Sequence, residues 1–254
     1  MSMSAYIPIP LLIFASLFAS LFFAPLSAAN STASSSASLR EILPIDLGGS
    51  LENSIGASSQ LLLVRSTNAT AIDARISAWE RTNGHWQHPF ASMDGVIGRK
   101  GFAPQGEKRE GDGRTPTGIF PLGTVFGYGP SFPTRMPYRQ ATVDDLWIDD
   151  VGADDYNRWV RRGTTQAASF ETMRRNDDLY KYGIVVEYNT KPVVKGSGSA
   201  IFFHLWQGKG NSTAGCIALS EENLIRIMKW LDPAARPLVV MGTQTDQRKL
   251  LRNE

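Results

Sequence analysis

The chain has 254 residues, of which 42% are hydrophobic and 20% are charged, and its formal net charge is +2 at pH 7. This composition is ordinary for a globular protein and excludes wholesale disorder. The weak positive charge gives no reason to expect nucleic-acid binding. The length accommodates either one large domain or two small ones.

An uncharged apolar stretch runs from residue 11 to residue 26 and is followed by Ser27, Ala28 and Ala29. Small residues at such positions are typical of a signal-peptidase site, so residues 1–29 are predicted to be a cleaved export signal. The stretch is shorter than the ~20 residues that span a bilayer. It lacks a preceding Lys or Arg, and a retained anchor is the alternative. We expect an exported protein in the periplasm, cell wall or extracellular space, with no stable membrane span after cleavage.

Residues 30–59 are rich in Ser and Ala and are predicted to be a linker, residues 60–243 a folded domain, and residues 244–254 a polar tail. The apolar run 61–64 and the alternating pattern 72–79 predict two strands. Asn83 and Gly84 tolerate positive φ and predict a hairpin turn, after which Trp86 begins a return strand.

The segment 98–182 is dense in Gly, Pro, Asp and Tyr, which predicts long loops that carry a binding surface. Strands are expected at 183–188, 200–206 and 238–241. Ser220 followed by two glutamates predicts a helix start, and Asp232-Pro233 predicts its end. The sequence therefore predicts one mainly β, sandwich-like domain with few helices.

The residues that point to chemistry are His204, in a predicted strand, and Cys216, which follows a Gly/Asn/Ser loop. We expect Cys216 to lie just before a helix and beside the imidazole, a setting that lowers a thiol pKa and makes the sulfur a nucleophile. Gly215 would let the backbone approach a substrate, with the amides of residues 214–216 directed at a developing oxyanion.

Other readings of the same residues remain open. A lone Cys is most often a small buried hydrophobe, and a His in an apolar strand is often structural. With one Cys and three His in the chain, no recognisable zinc ligand set is present, so no metal is expected.

Two segments carry a resemblance to a known family. Residues 112–120, DGRTPTGIF, and His204 followed by Thr213-Ala214-Gly215-Cys216-Ile217 resemble the L,D-transpeptidase (YkuD-like) catalytic domain over about residues 60–242. The resemblance is strongest to a secreted branch of that family, and it implies a mainly β, sandwich-like fold.

The resemblance also implies roles for individual residues. Cys216 would be the nucleophile and His204 its base, and the backbone carbonyl of Leu205 would fix the imidazole tautomer. Gly215 completes the catalytic motif, and substrate-binding roles are expected for Thr213, Ala214, Trp206 and Arg114. Better-known members carry His at the position of Ala214 and Arg or Asn at the position of Ala218, which implies that this branch recognises its substrate differently.

The function implied is cysteine-dependent acyl transfer on peptidoglycan stem peptides through a thioester, without a cofactor. Two alternatives stay open at this point. One is a peptidoglycan L,D-carboxypeptidase or endopeptidase that uses the same pair with water, and the other is a non-catalytic cell-wall-binding module.

Overall fold

A computed structural model describes residues 53–252. The strands are β1 (Gln60–Arg65), β2 (Asp73–Thr82), β3 (His85–Gln87), β4 (Met93–Val96), β5 (Gly118–Gly127), β6 (Tyr138–Gln140), β7 (Asp145–Ile148), β8 (Trp159–Arg161), β9 (Phe170–Thr172), β10 (Tyr182–Val186), β11 (Phe202–Leu205), β12 (Ile217–Leu219) and β13 (Leu238–Met241). The helices are α1 (Glu221–Trp230) and α2 (Gln244–Arg252), with a 3-10 turn at Pro233–Ala235. The predicted export signal lies outside the described residues.

The larger sheet has the strand order β1-β13-β5-β10-β11-β12-β4-β2-β3, and β6 pairs with β5 at its side. Strand β1 also pairs with β2 in antiparallel register, Leu62 opposite Ala78, so the sheet closes on itself. A second sheet of three strands has the order β8-β7-β9. The mainly β, sandwich-like fold predicted from the sequence is confirmed.

Strand β1 explains why the sequence there is continuously apolar. Leu62 and Val64 point into the main core, while Leu61 and Leu63 belong to a second cluster on the opposite face. A strand buried on both faces has no solvent-facing positions and needs no polar alternation. The turn after β2 also forms as predicted, with Asn83 and Gly84 both at positive φ, 51° and 80°.

Helix α1 begins as the sequence predicts. Ser220 is its N-cap and accepts a hydrogen bond from the amide of Asn223. Its apolar stripe, Leu224, Ile227 and Met228, is fully buried in the main core. Each such side chain contributes about 1.5–3 kcal/mol by leaving water.

The segment 98–182 differs from the long loops that were expected. It contains the ten-residue strand β5, which lies between β13 and β10 in the larger sheet, and all three strands of the smaller sheet. Between the two sheets lies a cluster of buried aromatic side chains that includes Phe126, Trp147, Tyr180 and Phe202. This cluster reaches Cys216.

Both predicted flanking segments have packed structure where they are described. Ile55, within the predicted linker, is buried against Trp79. The predicted polar tail forms α2, and its Leu251 and Gln247 are buried. The Gln247 amide donates to the carbonyls of Val64 and Val240, which ties α2 to the larger sheet. Across residues 53–252, the helices are all too short or too polar to cross a membrane.

Candidate active site

The site is set by the parallel pairing of β11 with β12. Phe203 lies opposite Ile217, and His204 lies opposite Ala218. Paired residues project their side chains to the same face, and the side chains alternate along each strand. Cys216, directly before β12, therefore projects to the same face as Phe202 and His204. The side chains of β11 and the residue before it alternate between the two faces of the sheet. On the other face, Ile201, Phe203 and Leu205 belong to the main core.

One expectation about Cys216 is wrong. The residue was predicted to precede a helix, but it leads directly into β12, and α1 begins only at Glu221. The apolar run Ile217-Ala218-Leu219 is fully buried and takes up sheet pairing. The helix dipole decays within the first turn, so it does not act on this sulfur.

His204 is buried and is held by its own strand. Its Nδ1 lies 2.7 Å from the carbonyl oxygen of Leu205. A carbonyl oxygen only accepts, so Nδ1 carries the proton and donates it, and Nε2 keeps a free lone pair. Burial lowers the pKa of His204 to about 4, against the opposing effect of this hydrogen bond. The imidazole is therefore neutral at pH 7, with Nε2 able to accept a proton.

The sulfur of Cys216 is enclosed by backbone. The amide of Phe202 donates to Sγ at 3.4 Å, and the thiol donates to the carbonyl of Ala200 at 3.1 Å. Burial, followed by the charge of Glu171, raises the pKa of Cys216 to about 12. This direction is opposite to the expected lowering of the thiol pKa, because the Phe202 amide and the charge of Lys108 offset only part of the desolvation of the thiolate.

The loop before Cys216 is fixed by hydrogen bonds. The hydroxyl of Thr213 donates to the carbonyl of Cys216 at 2.7 Å and accepts from the amide of Gly215 at 3.1 Å. Thr115 donates to the carbonyl of Gly215 at 2.8 Å. The Gly215 amide is therefore already engaged, contrary to the expected oxyanion role for that group. Thr213 therefore fixes residues 213–216, the loop that ends at Cys216.

Gly215 and Arg114 meet through the backbone. A Cβ on Gly215 would lie 2.9 Å from the carbonyl oxygen of Arg114, closer than real Cβ contacts come, so only glycine fits. The guanidinium of Arg114 donates to the carbonyl of Phe102 at 3.0 Å and lines neither of the cavities described below. The expected substrate-binding role of Arg114 is not supported. Its loop serves instead as the support beneath Gly215.

A cavity of about 290 Å³ opens over this face of the sheet. Cys216 and His204 both line it, and Trp206, Thr213 and Ala214 form part of its wall. The structure thus brings together the predicted residues of the His204 and Cys216 segments and leaves out Arg114.

Comparison with known proteins identifies the domain. A family model described as YkuD, the L,D-transpeptidase catalytic domain, matches residues 72–242. The chain belongs to this family. A search of curated proteins and a search of solved structures each returned no match. The YkuD match spans the described strands β2 to β13 and includes both His204 and Cys216.

Sequence reasoning missed a pair of residues in this YkuD domain, Glu171 and Tyr180, that lies near Cys216. The Tyr180 hydroxyl donates a hydrogen bond to the carboxylate of Glu171. The Tyr180 ring also meets the His204 ring edge-on, with the centroids 5.2 Å apart. Desolvation raises the pKa of Glu171 above its usual value. Both residues come from the segment expected to be loops, and no motif marks them.

A second, smaller cavity of about 180 Å³ reaches the sulfur from another side. Cys216, Ala214 and Glu171 line both cavities. In the smaller one they are joined by Lys108 and Glu110. Glu110 accepts from the hydroxyls of Tyr156 and Ser199, so its carboxylate is already occupied. Cys216 of this YkuD domain thus borders two cavities.

Proposed function

We propose that the protein is an exported L,D-transpeptidase that acts on peptidoglycan stem peptides. In this reaction Cys216 attacks the carbonyl of the third, L-centred residue of a tetrapeptide stem. The terminal D-Ala leaves, and an amine from another stem resolves the thioester. Splitting the transfer into two steps is the advantage that a covalent nucleophile offers.

One observation carries the proposal. Cys216 and His204 line a single cavity, and the bond from Nδ1 to the Leu205 carbonyl leaves Nε2 as a proton acceptor. His204 takes the thiol proton as the sulfur attacks and returns it to the departing amine of D-Ala. The thiolate and the imidazolium form together in a buried site, where opposite charges stabilise each other strongly.

The substrate class and the location rest on the family and on the N-terminal sequence. The L,D-transpeptidase catalytic domain implies a peptidoglycan substrate. The apolar stretch 11–26 with the small residues after it supports export to the compartment where this polymer lies.

The test is turnover by four forms of the mature protein on tetrapeptide stems. Wild type is expected to give 3→3 cross-links or D-amino-acid exchange, and Cys216→Ala and His204→Ala are expected to abolish both. The double variant should be scarcely worse than either single one, since residues that act as a unit lose activity together. His88→Ala is the matched control, because His88 packs against Trp79 and lines neither cavity.

The products distinguish the alternatives. Trimmed monomers without dimers or exchange would indicate that water resolves the thioester. Full activity in Cys216→Ala would refute the role of the thiol, whereas no turnover by wild type with an intact reduced thiol would refute the proposed reaction and favour the wall-binding module.

A further inference from the structure

We infer that Glu171 is a catalytic residue specific to the second step, in which its carboxylate binds the ammonium group of the acceptor and takes one proton from it. This inference rests on the proposed function. It makes Glu171 the group that favours an amine over water as the acceptor.

The need for such a group follows from proton counting. A free amine of pKa roughly 8–10 arrives as an ammonium ion at neutral pH and has no lone pair with which to attack. It loses two protons before the new amide is complete. His204 accepts only one, at Nε2, because its Nδ1 proton is held by the carbonyl of Leu205. A second proton acceptor beside the sulfur is required.

Of the carboxylates in the two cavities, Glu171 suits this role best. Asp177 is engaged by both nitrogens of an ion pair with Arg175, at 2.8 and 2.5 Å, and that pairing lowers its pKa. Glu110 accepts from two hydroxyls at Oε2 and from the Gly111 amide at Oε1, and Asp149 accepts from the hydroxyl of Ser169. Glu171 lines both cavities together with Cys216, so an amine that enters from either side meets it.

The groups around Glu171 leave its carboxylate able to accept a proton. Tyr180 donates to one of its oxygens and leaves the other available. The groups that act on its titration are Tyr180 and Arg175, which favour the carboxylate, and Asp149 and Glu110, which oppose it together with desolvation. The net effect is a raised pKa, so this carboxylate takes a proton more readily than an ordinary one.

The step balances as follows. The ammonium gives one proton to Glu171, and the freed nitrogen lone pair attacks the thioester carbonyl. The C–N bond forms, the C–S bond breaks, and the sulfur leaves as the Cys216 thiolate. The second nitrogen proton passes to Nε2 of His204, which then returns it to the thiolate. Glu171 releases its proton to solvent.

Glu171→Gln tests this inference, since the amide keeps the shape and still accepts from Tyr180. The acyl-enzyme is formed from a tetrapeptide stem and then partitioned between water and labelled D-alanine at pH 7. We expect thioester formation within about threefold of wild type and aminolysis lowered by about 10²-fold, in the range of lost general base catalysis. Glu187→Gln is the matched control, because Glu187 lines neither of these cavities.

The pH dependence provides a second readout. Free amine becomes available to the variant only as pH rises, so its aminolysis should increase about tenfold per pH unit up to the pKa of the amine. Wild-type aminolysis should be nearly flat between pH 7 and that pKa, a measurement that does not depend on the variant folding.

The outcomes separate the two proposals. An unchanged partition at pH 7 in Glu171→Gln, an equal loss of thioester formation, or wild-type aminolysis that tracks the free amine would each overturn the role of Glu171. A wild-type protein that forms no thioester would overturn the proposed function itself and this inference with it.

Discussion

The buried imidazole of His204 makes a quantitative prediction about acid stability. Only 6% of this residue is exposed, and its pKa falls from the usual 6.5 to about 4. Above pH 6.5 both the folded and the unfolded states hold a neutral imidazole, and the free energy of unfolding is unaffected. As the pH falls, the unfolded chain gains a proton that the folded protein rejects, so stability is lost until the folded state also protonates near pH 4.

The size of this loss follows from the same two values. At ~1.4 kcal/mol per pH unit, the full effect is about 3 kcal/mol, of which about 2 kcal/mol has appeared by pH 5. Replacing His204 by Gln removes the titrating group. We therefore expect wild type to lose about 2 kcal/mol more than His204→Gln between pH 7 and pH 5. Urea unfolding at the two pH values measures the difference.

Other titrating groups contribute equally to the stability of wild type and of His204→Gln, so their effects cancel in the difference between the two proteins. Glu171 has a raised pKa, so its protonation in acid stabilises the folded state, but it is present in both proteins. His85→Gln, at an exposed position, controls for the loss of an imidazole and should keep the wild-type pH difference. Equal losses in wild type and His204→Gln would show that His204 is not held neutral by burial, and the argument about its free Nε2 would fail.

Two further predictions concern Cys216 and the residue before it. Gly215→Ala should lower the free energy of unfolding by about 2 kcal/mol and lower turnover, because its Cβ would press on the Arg114 carbonyl. Gly152→Ala is the control: its Cβ would meet only the flexible Asp150 side chain, so thermal unfolding should show a far smaller loss of stability. The rate of alkylation of Cys216 in the free protein should be lower than that of an ordinary thiol between pH 6 and 8, because burial holds the proton on the sulfur. The rate should rise steeply toward pH 12. A rate at pH 6 above that of a small-molecule thiol would contradict this.

The elements predicted correctly from the sequence are those whose pattern reflects local surroundings. Strand β1 is apolar at every position because both its faces are covered, and Ser220 caps α1 through contacts within a few residues. The alternation in β11 identified the face on which His204 lies. In each case the interaction that determines the structure is visible as a pattern of residues close together in the sequence.

The elements that were missed depend on partners far along the chain. Strand β5 contains Gly123 and Pro121, which interrupt a strand pattern, yet a Cβ on Gly123 would lie 2.0 Å from the Glu187 carboxylate. The atoms closest to Gly123 belong to the side chain of Glu187, which directly follows β10, and sequence spacing does not reveal this proximity. Glu171 lines the same cavities as Cys216, and it is placed there by β9, which pairs with β7 in the smaller sheet.

The pKa of Cys216 is the clearest case of a property that spacing does not reveal. The prediction of a lowered pKa assumed a helix directly after Cys216, and β12 takes that place. A neutral thiol fits the proposed export, since an unpaired cysteine in an oxidising compartment is exposed to oxidants. Oxidants attack the thiolate, and a sulfur with a pKa of about 12 holds very little of that form at neutral pH. In the proposed reaction, this burial makes the sulfur depend on His204, whose Nε2 acts as the base and which lines the same cavity. The thiol is therefore protonated and protected at rest. In the proposed reaction, a single proton transfer from Cys216 to His204, which lie on one face of the sheet, activates it.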